Sequence, residues 1–518
     1  MGHNRYDAVV VGAGMGGLMS AALLANRGLR VAVAERSNRV GGYQCRFDQD
    51  GLHIEPHFHF LQDAGPGRPV RRLLDELGID LAWKTVDPLV EFIFPDQRFR
   101  VPADRSEFIA SLTRDFPAET AGIDRLFTTT KAIFDAAQRL PRPAPVLVAY
   151  AADTVADLVG RFVRDPRLRT ILGGWAAYFG YGATKISGPA IAVFTESCFH
   201  GGVLHPVGGI TTLADALQHV ISSHGGDIHT GHAVQAIQTR DSHVTDVLLD
   251  NGRQLETSTV ISNVDARTTL DGLVRDNGTA AATAARLSAL TTFRSPFSVH
   301  LGLRPDQEHQ LEGSPVKVVF PSDDTDAQDR AQLAGDVEHA PLSLGIPTLM
   351  NPGLAPAGHD IALLYTFLPR VTLDSLLADP QRAQTYADRI VGVADRALPG
   401  LSERITSTTT SATAMRDIYT PNTGGALGWA PDPAGLLGGE RVARGLRNPL
   451  INTLARGATR LLPAQMERLA ARSPLPDTTT KIQGLYLCGQ WTRFGPGMNN
   501  VFMSSAAAAS AAVEHMRS

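Results

Sequence analysis

The sequence predicts an α/β fold built on a parallel sheet to which the chain returns twice, and three stretches carry that prediction. An apolar run opens at Tyr6, breaks into Gly12-x-Gly14-x-x-Gly17 and continues as a small-residue helix over 18–26, closed by Gly28. A helix over 212–224, the segment Gly225-Gly226-Asp227-Ile228-His229-Thr230 after it and a buried strand over 259–265 restore that style after a long excursion. Residues 484–492, the glycine turn 495–500 and an alanine-rich helix then repeat strand, turn and helix.

In the first stretch glycine is needed three times for separate reasons. Gly12 makes the tight turn, Gly14 lets the backbone approach a pyrophosphate, and Gly17 lets helix and strand pack closely. The helix N-terminus then faces the phosphates with unpaired amides. A second strand over 29–34 ends in Glu35, where a carboxylate can accept hydrogen bonds from an adenosine ribose. Glycine triplets also occur in plain βα turns; placed after a strand, before a helix and ahead of this acid, the triplet reads as a Rossmann-type dinucleotide site. Arg36 follows, and then Gly41-Gly42, a pair that again admits close backbone approach.

Residues 46–54 read as a hairpin turning at Asp50-Gly51, which delivers Glu55-Pro56-His57-Phe58-His59, the densest histidine cluster in the chain. From about 70 to 200 the pattern is mainly helical, with a short amphipathic helix over 70–78 and a strand pair at 91–94 and 99–101. Residues 168–181 hold Trp175, Tyr178, Phe179 and Tyr181, and such a stretch either lines an apolar cavity or is plain core. The strands 244–249 and 254–257 pair through the turn Asp250-Asn251-Gly252. Within 441–472 seven arginines stand against Glu467, with Leu450, Leu454, Leu461 and Leu462 on one helical face. This basic amphipathic stretch suits either an anionic membrane surface or a solvated arginine face over an ordinary core.

Composition narrows the function classes. With 518 residues, 43% hydrophobic and 19% charged, the chain is an ordinary globular protein of more than one domain. A net charge of -4 gives no reason to expect nucleic acid. Cys45, Cys198 and Cys488 lie far apart without a CxxC, which argues against a disulfide scaffold or a zinc site and fits a reducing cytosol. The first strand begins within a few residues of Met1, leaving no room for a signal peptide, and no apolar run reaches bilayer-spanning length. A cytoplasmic protein, soluble or peripherally bound to a membrane, is expected.

At this point the residues resemble the flavin-dependent phytoene desaturase, carotenoid isomerase and retinol saturase group, within the flavin amine oxidase superfamily. The matching blocks span nearly the whole chain: Gly12-x-Gly14-x-x-Gly17 with Glu35 and Gly41-Gly42, His205-Pro206-x-Gly208-Gly209, Val234, and Val260-Ile261-Ser262-Asn263. They continue with Leu354-Ala355-Pro356-x-Gly358-His359, Thr420-Pro421 and Leu485-Tyr486-Leu487-x-Gly489. The resemblance implies that the dinucleotide is FAD. Gly12, Gly14 and Gly17 would hold its pyrophosphate, Glu35 the adenosine ribose and Val234 the adenine side. Gly489 and the following helix would hold the ribityl and isoalloxazine end, with Arg36, Gly41, Gly42, Gln490 and Met498 completing the cofactor set. Many relatives carry an acid where this chain has Gln490, and an amide there can still bond ribityl or phosphate. The FAD-binding domain would comprise 1–85, 200–268 and 480–518, and 86–199 with 269–479 would form a mixed α+β substrate domain.

The implied reaction is desaturation, saturation or isomerisation of a C–C bond in a lipophilic polyene, carotenoid or isoprenoid-like metabolite. No second GxGxxG unit is found for a nicotinamide, so oxygen or a membrane quinone is the expected electron acceptor. His57, His59, His205 and Asn499 are the candidate catalytic residues, the histidines as proton carriers, each weighed against an ordinary packing role, and Asn499 as an amide facing the flavin. No metal is expected, because His57-x-His59 has no further ligand nearby in sequence. Cys45 is read as a buried thiol rather than a covalent flavin anchor. Two competitors are an amine oxidase, for which Trp491 supplies one member of an aromatic pair, and a flavin-bearing partner without turnover.

Overall fold

The computed structural model describes residues 4–57, 60–139, 144–275, 278–306, 311–414, 427–433 and 475–517. The basic stretch 441–472, His59 and Thr420-Pro421 lie outside the described residues. Ala8–Val11, Val31–Ala34, Asp227–His229, Val260–Ser262 and Leu485–Leu487 form one all-parallel sheet. From one edge, its strands run third, second, first, fourth, fifth in chain order, the Rossmann arrangement. Three distant pieces of chain therefore build one layer.

The side chains of these strands alternate between two cores. Val10, Val33, Ile261 and Tyr486 pack under the helices Met15–Asn26, Thr211–Ser223 and Met498–Arg517. Val9, Val11, Ala32, Ala34, Val260, Leu485 and Leu487 face the other way, onto the sheet formed by Gln254–Glu256, His243–Leu249, Val234–Arg240 and Val274–Arg275. A parallel sheet covered on both sides needs apolar residues, which is why Ala8–Val11, Val31–Ala34 and Leu485–Leu487 read as hydrophobic runs, while the partly buried edge strand Asp227–His229 does not.

The expected boundary at 268 falls short. Val274–Arg275 pairs in parallel with Val234–Arg240, and the helix Thr279–Leu287 buries Ala280, Ala284 and Leu287 in the same core. Both continue the nucleotide half.

A seven-stranded sheet makes the second half, in the order Ile405–Thr410, Ser295–Leu303, Asp360–Leu368, Leu342–Gly345, Val316–Val319, Val90–Ile93 and Arg98–Val101. All its junctions are antiparallel except that of Val316–Val319 with Val90–Ile93, which joins chain segments on either side of the second nucleotide piece. There Lys317 Nζ donates to Glu91 Oε2 at 2.5 Å, and Arg100 Nε meets Glu91 Oε1 at 3.0 Å. Both Lys317 and Glu91 are buried, so either would be costly without the other. Helices Arg370–Ala378 and Pro380–Ala397 cover one face through Leu373, Tyr386 and Ile390. The other face meets a helical layer, Arg105–Asp115, Thr120–Ala137, Pro166–Tyr178 and Gly188–Gly201.

Between the halves run two small antiparallel units. Phe47–Gln49 and Leu52–Ile54 form the expected hairpin, with φ of 52° at Asp50 and 78° at Gly51. Leu61–Gln62, Val203–Pro206 and Trp83–Thr85 form a three-stranded sheet. Among the described residues no helix is long and apolar enough to cross a membrane.

Candidate active site

A cavity of about 670 Å³ runs from the carboxyl ends of the parallel strands to the seven-stranded sheet. Its first wall is Val11, Gly12, Gly14, Glu35, Arg36, Gly41, Gly42 and Val234, with Asn263 among them. Ligands of open α/β sheets bind at this crevice because the strand ends and helix N-termini converge there. Glu35 Oε2 accepts the Ala13 N–H at 2.7 Å and Oε1 that of Ser37 at 2.8 Å. An ionised carboxylate has about four acceptor sites, so the group is fixed in direction and still able to receive donors from the cavity.

The glycines divide by task. A Cβ on Gly42 would lie 3.0 Å from Gly14 Cα, and Gly42 has a φ of +59°, so the two wall turns touch backbone to backbone. Gly17 is not on the wall; a Cβ there would overlap the carbonyl oxygen of Gly12, which makes it the close-packing glycine. Gly489 also stands behind the wall. Its N–H donates to Ser504 Oγ at 2.8 Å, and a Cβ there would strike Asn263 Oδ1. Asn263, which sequence reasoning quoted without assigning, is the hub: its side chain fills the space beside Gly14, Gly16 and Gly489. The signal was its position directly after the fourth parallel strand, Val260–Ser262.

The middle of the cavity gathers Tyr43, Gln44, Cys45, His57, Gln490, Trp491, Met498 and Asn499. His57 stands edge-on to Tyr43 with ring centroids 6.1 Å apart. Among the described residues, Gln44 Oε1 and Asn499 Oδ1 are buried without a hydrogen-bond partner, and both residues line the cavity. Buried acceptors of this kind are rare unless a ligand or an ordered water supplies the donor. Gly495, Pro496 and Gly497 bring the N-terminus of the helix Met498–Arg517 to the same wall. Cys45 is buried and unbridged, and burial pushes its thiol above the usual range.

His205 is not brought to the site. It is buried in Val203–Pro206, away from the described wall, because the turn after it is anchored elsewhere. Asn351 Oδ1 accepts the Gly208 N–H at 3.0 Å, Asn351 Nδ2 donates to Pro206 O at 3.1 Å, and Glu55 Oε1 accepts the Ile210 N–H at 2.5 Å. Burial pushes the Glu55 carboxyl up to about 7, against the opposing effect of the Ile210 and Thr211 amides.

The far end of the cavity is aromatic: Phe60, Tyr178, Phe179, Phe194, Phe293, Tyr365 and Phe367. Phe179 packs edge-to-face on Phe194 at 4.7 Å, and Tyr178 stacks on Phe194 at 6.0 Å. The stretch 168–181 thus splits, with Tyr178 and Phe179 on the wall and Trp175 and Tyr181 in the core. Burial pushes the Tyr365 hydroxyl up to about 12 and that of Tyr178 well above its ordinary value. Neither carries charge at neutral pH, so the chamber has an uncharged aromatic lining.

A family model described as flavin containing amine oxidoreductase matches residues 15–386. The chain belongs to that family. Prolycopene isomerase 2 of an Oncidium hybrid cultivar is 26% identical, over 84% of this chain and 77% of its own. A neurosporene-forming phytoene desaturase of Rhodobacter capsulatus is 25% identical, over 96% of this chain and 92% of its own. Among solved structures, an oxidoreductase from Methanosarcina mazei superposes with a TM-score of 0.65 at 18% identity, covering 98% of this chain and 100% of that one, a likeness of fold. The flavin oxidoreductase is thus an enzyme with FAD as its dinucleotide. The glycine cradle at Gly14 and Gly42 and the unpaired acceptors of Gln44 and Asn499 fit such a group.

Proposed function

We propose that this FAD-dependent oxidoreductase desaturates, saturates or isomerises a C–C bond in a lipophilic polyene, carotenoid or isoprenoid-like metabolite. The observation that carries the reading is the aromatic chamber continuous with the nucleotide cleft. Flat uncharged rings give a conjugated chain large contact area and few competing polar groups. Relatives named as a phytoene desaturase and a prolycopene isomerase support the same class.

Bound FAD supplies hydride acceptance at N5, the chemistry by which loss of a neighbouring proton leaves a new C=C bond. The residues of the chain bind and orient. Gly12, Gly14, Gly41 and Gly42 admit the pyrophosphate, Glu35 receives the ribose hydroxyls, and Val234 with Arg36 flanks the adenosine. Gln490, Met498 and Asn499 hold the flavin end. Tyr178, Phe194 and Phe367 exclude water and hold the chain in plane. His57 is the proposed proton carrier, since imidazole titrates near neutrality and lines the cavity beside Tyr43. Oxygen or a membrane quinone is the proposed electron acceptor, and the arginines of 441–472 the proposed membrane contact.

An amine oxidase reading asks for two aromatic faces with room between them. Trp429 and Trp491 are the candidates, but they meet edge-to-face at 5.1 Å with Trp429 Nε1 bonded to Trp491 O, which leaves no gap for an amine. Anaerobic titration of the holoenzyme with polyenes in liposomes and with a panel of amines separates the two. Flavin bleaching by a polyene alone supports desaturation, and bleaching by an amine alone overturns it.

A further inference from the structure

The cavity lining is not all hydrocarbon. Besides Phe60 and Tyr178, which stack at 6.3 Å, it includes Gln62, Asp63 and Ser197. Two of these three already have partners: Asp63 binds Arg68, and Ser197 Oγ donates to Phe194 O at 2.7 Å. Gln62 is 7% exposed and lines the cavity, and among the described residues its amide makes no hydrogen bond.

Strand geometry explains the exposure of that amide to the cavity. Leu61 and Gln62 form a two-residue strand paired with Leu204 and Val203, and Leu61 is wholly buried in the core of the nucleotide half. Successive side chains of a strand point to opposite faces, so Gln62 and Phe60 share the cavity face. A ligand lying along the Phe60 and Tyr178 rings therefore has the Gln62 amide on the same cavity face.

We propose that Gln62 is a specificity residue for a polyene ending in a hydroxyl group, the amide bonding that oxygen while the aromatic chamber holds the chain. This rests on the polyene reading above. A cavity-facing amide that a bound chain seals from water discriminates against a ligand that lacks the matching oxygen, because the amide is then left unpaired.

The test uses the holoenzyme under anaerobic conditions and two polyenes of equal chain length, one a hydrocarbon and one a terminal alcohol. Binding is read from the perturbation of the flavin spectrum, with flavin content and melting temperature measured for every variant. The alcohol is expected to bind about 10-fold tighter than the hydrocarbon. Gln62→Leu should reduce that preference below about 2-fold and leave hydrocarbon affinity unchanged or higher, whereas Gln62→Glu should keep a preference for the alcohol. Equal binding of both polyenes by the unsubstituted enzyme overturns the role of Gln62 and leaves the polyene reading standing. A preference that survives Gln62→Leu likewise overturns it. Binding of neither polyene overturns the polyene reading and this assignment with it.

Discussion

Where the cavity meets the parallel sheet its wall is largely backbone, at Gly12, Gly14, Gly41 and Gly42; where it meets the seven-stranded sheet the wall is side chain, at Tyr178, Phe179, Phe194 and Phe367. The first surface is defined by what is missing, so one added carbon collides with main chain. The second is defined by ring shape, and its residues can be exchanged one at a time. On the proposed reading cofactor binding is tied to the fold and substrate choice to particular side chains, which is how one architecture can host many chemistries.

The strongest way to break this contrast is Gly17→Ala. Its Cβ would overlap the Gly12 carbonyl oxygen, so the turn must move, and we expect a loss of roughly 3 kcal/mol or more with little flavin retained. Flavin-to-protein absorbance and thermal melting check this; a fully loaded variant melting like the parent would refute it. Next is Glu35→Ala, which removes the acceptor of two backbone amides and the proposed ribose contact. FAD affinity should fall about 10- to 100-fold by fluorescence titration. On the side-chain surface, Phe194→Ala should weaken polyene binding by about 10-fold while flavin content stays at the parent level. Equal losses of flavin and polyene in that variant would erase the contrast.

Glu55 lies at the seam of the two regions and sharpens the comparison through pH. Its folded-state carboxyl is raised from 4.5 to about 7, so the native state prefers the protonated form. The stability this gives is complete below pH 4.5 and is lost as pH rises to about 7. Glu55→Gln keeps an acceptor for the Ile210 and Thr211 amides without the charge. Relative to the parent it should gain up to about 3 kcal/mol over that interval and nothing further above it. Denaturant melts at pH 4.5, 6 and 8 give the answer; a gap that does not grow with pH would place the carboxyl elsewhere on the scale.

The first strand–turn–helix–strand unit and its glycine turn were legible in the sequence because they are local. An apolar run, a fixed glycine spacing and an acid after the second strand all lie within Tyr6 to Glu35. The hairpin at Asp50-Gly51 was legible for the same reason. The seven-stranded sheet was not, since the pairing of Lys317 with Glu91 depends on burial matched across the whole chain. Val274–Arg275 was assigned to the wrong half because two residues show no periodicity. His205 was misleading: its stretch is rich in chemistry-bearing residues, yet Asn351 and Glu55 tie that turn to the seam. Gln62 gave no signal at all, being one polar residue in a two-residue strand.

The sheet order has a consequence for how the protein is made. Ala8–Val11 leaves the ribosome first, yet the sheet that carries it is completed only by Leu485–Leu487 and the helix Met498–Arg517. The emerging chain must hold an unfinished sheet edge through nearly all of synthesis, a long-range closure of the kind that folds slowly and exposes apolar surface meanwhile. A product stopped short of Leu485 has neither the fifth strand nor the helix Met498–Arg517 that covers it.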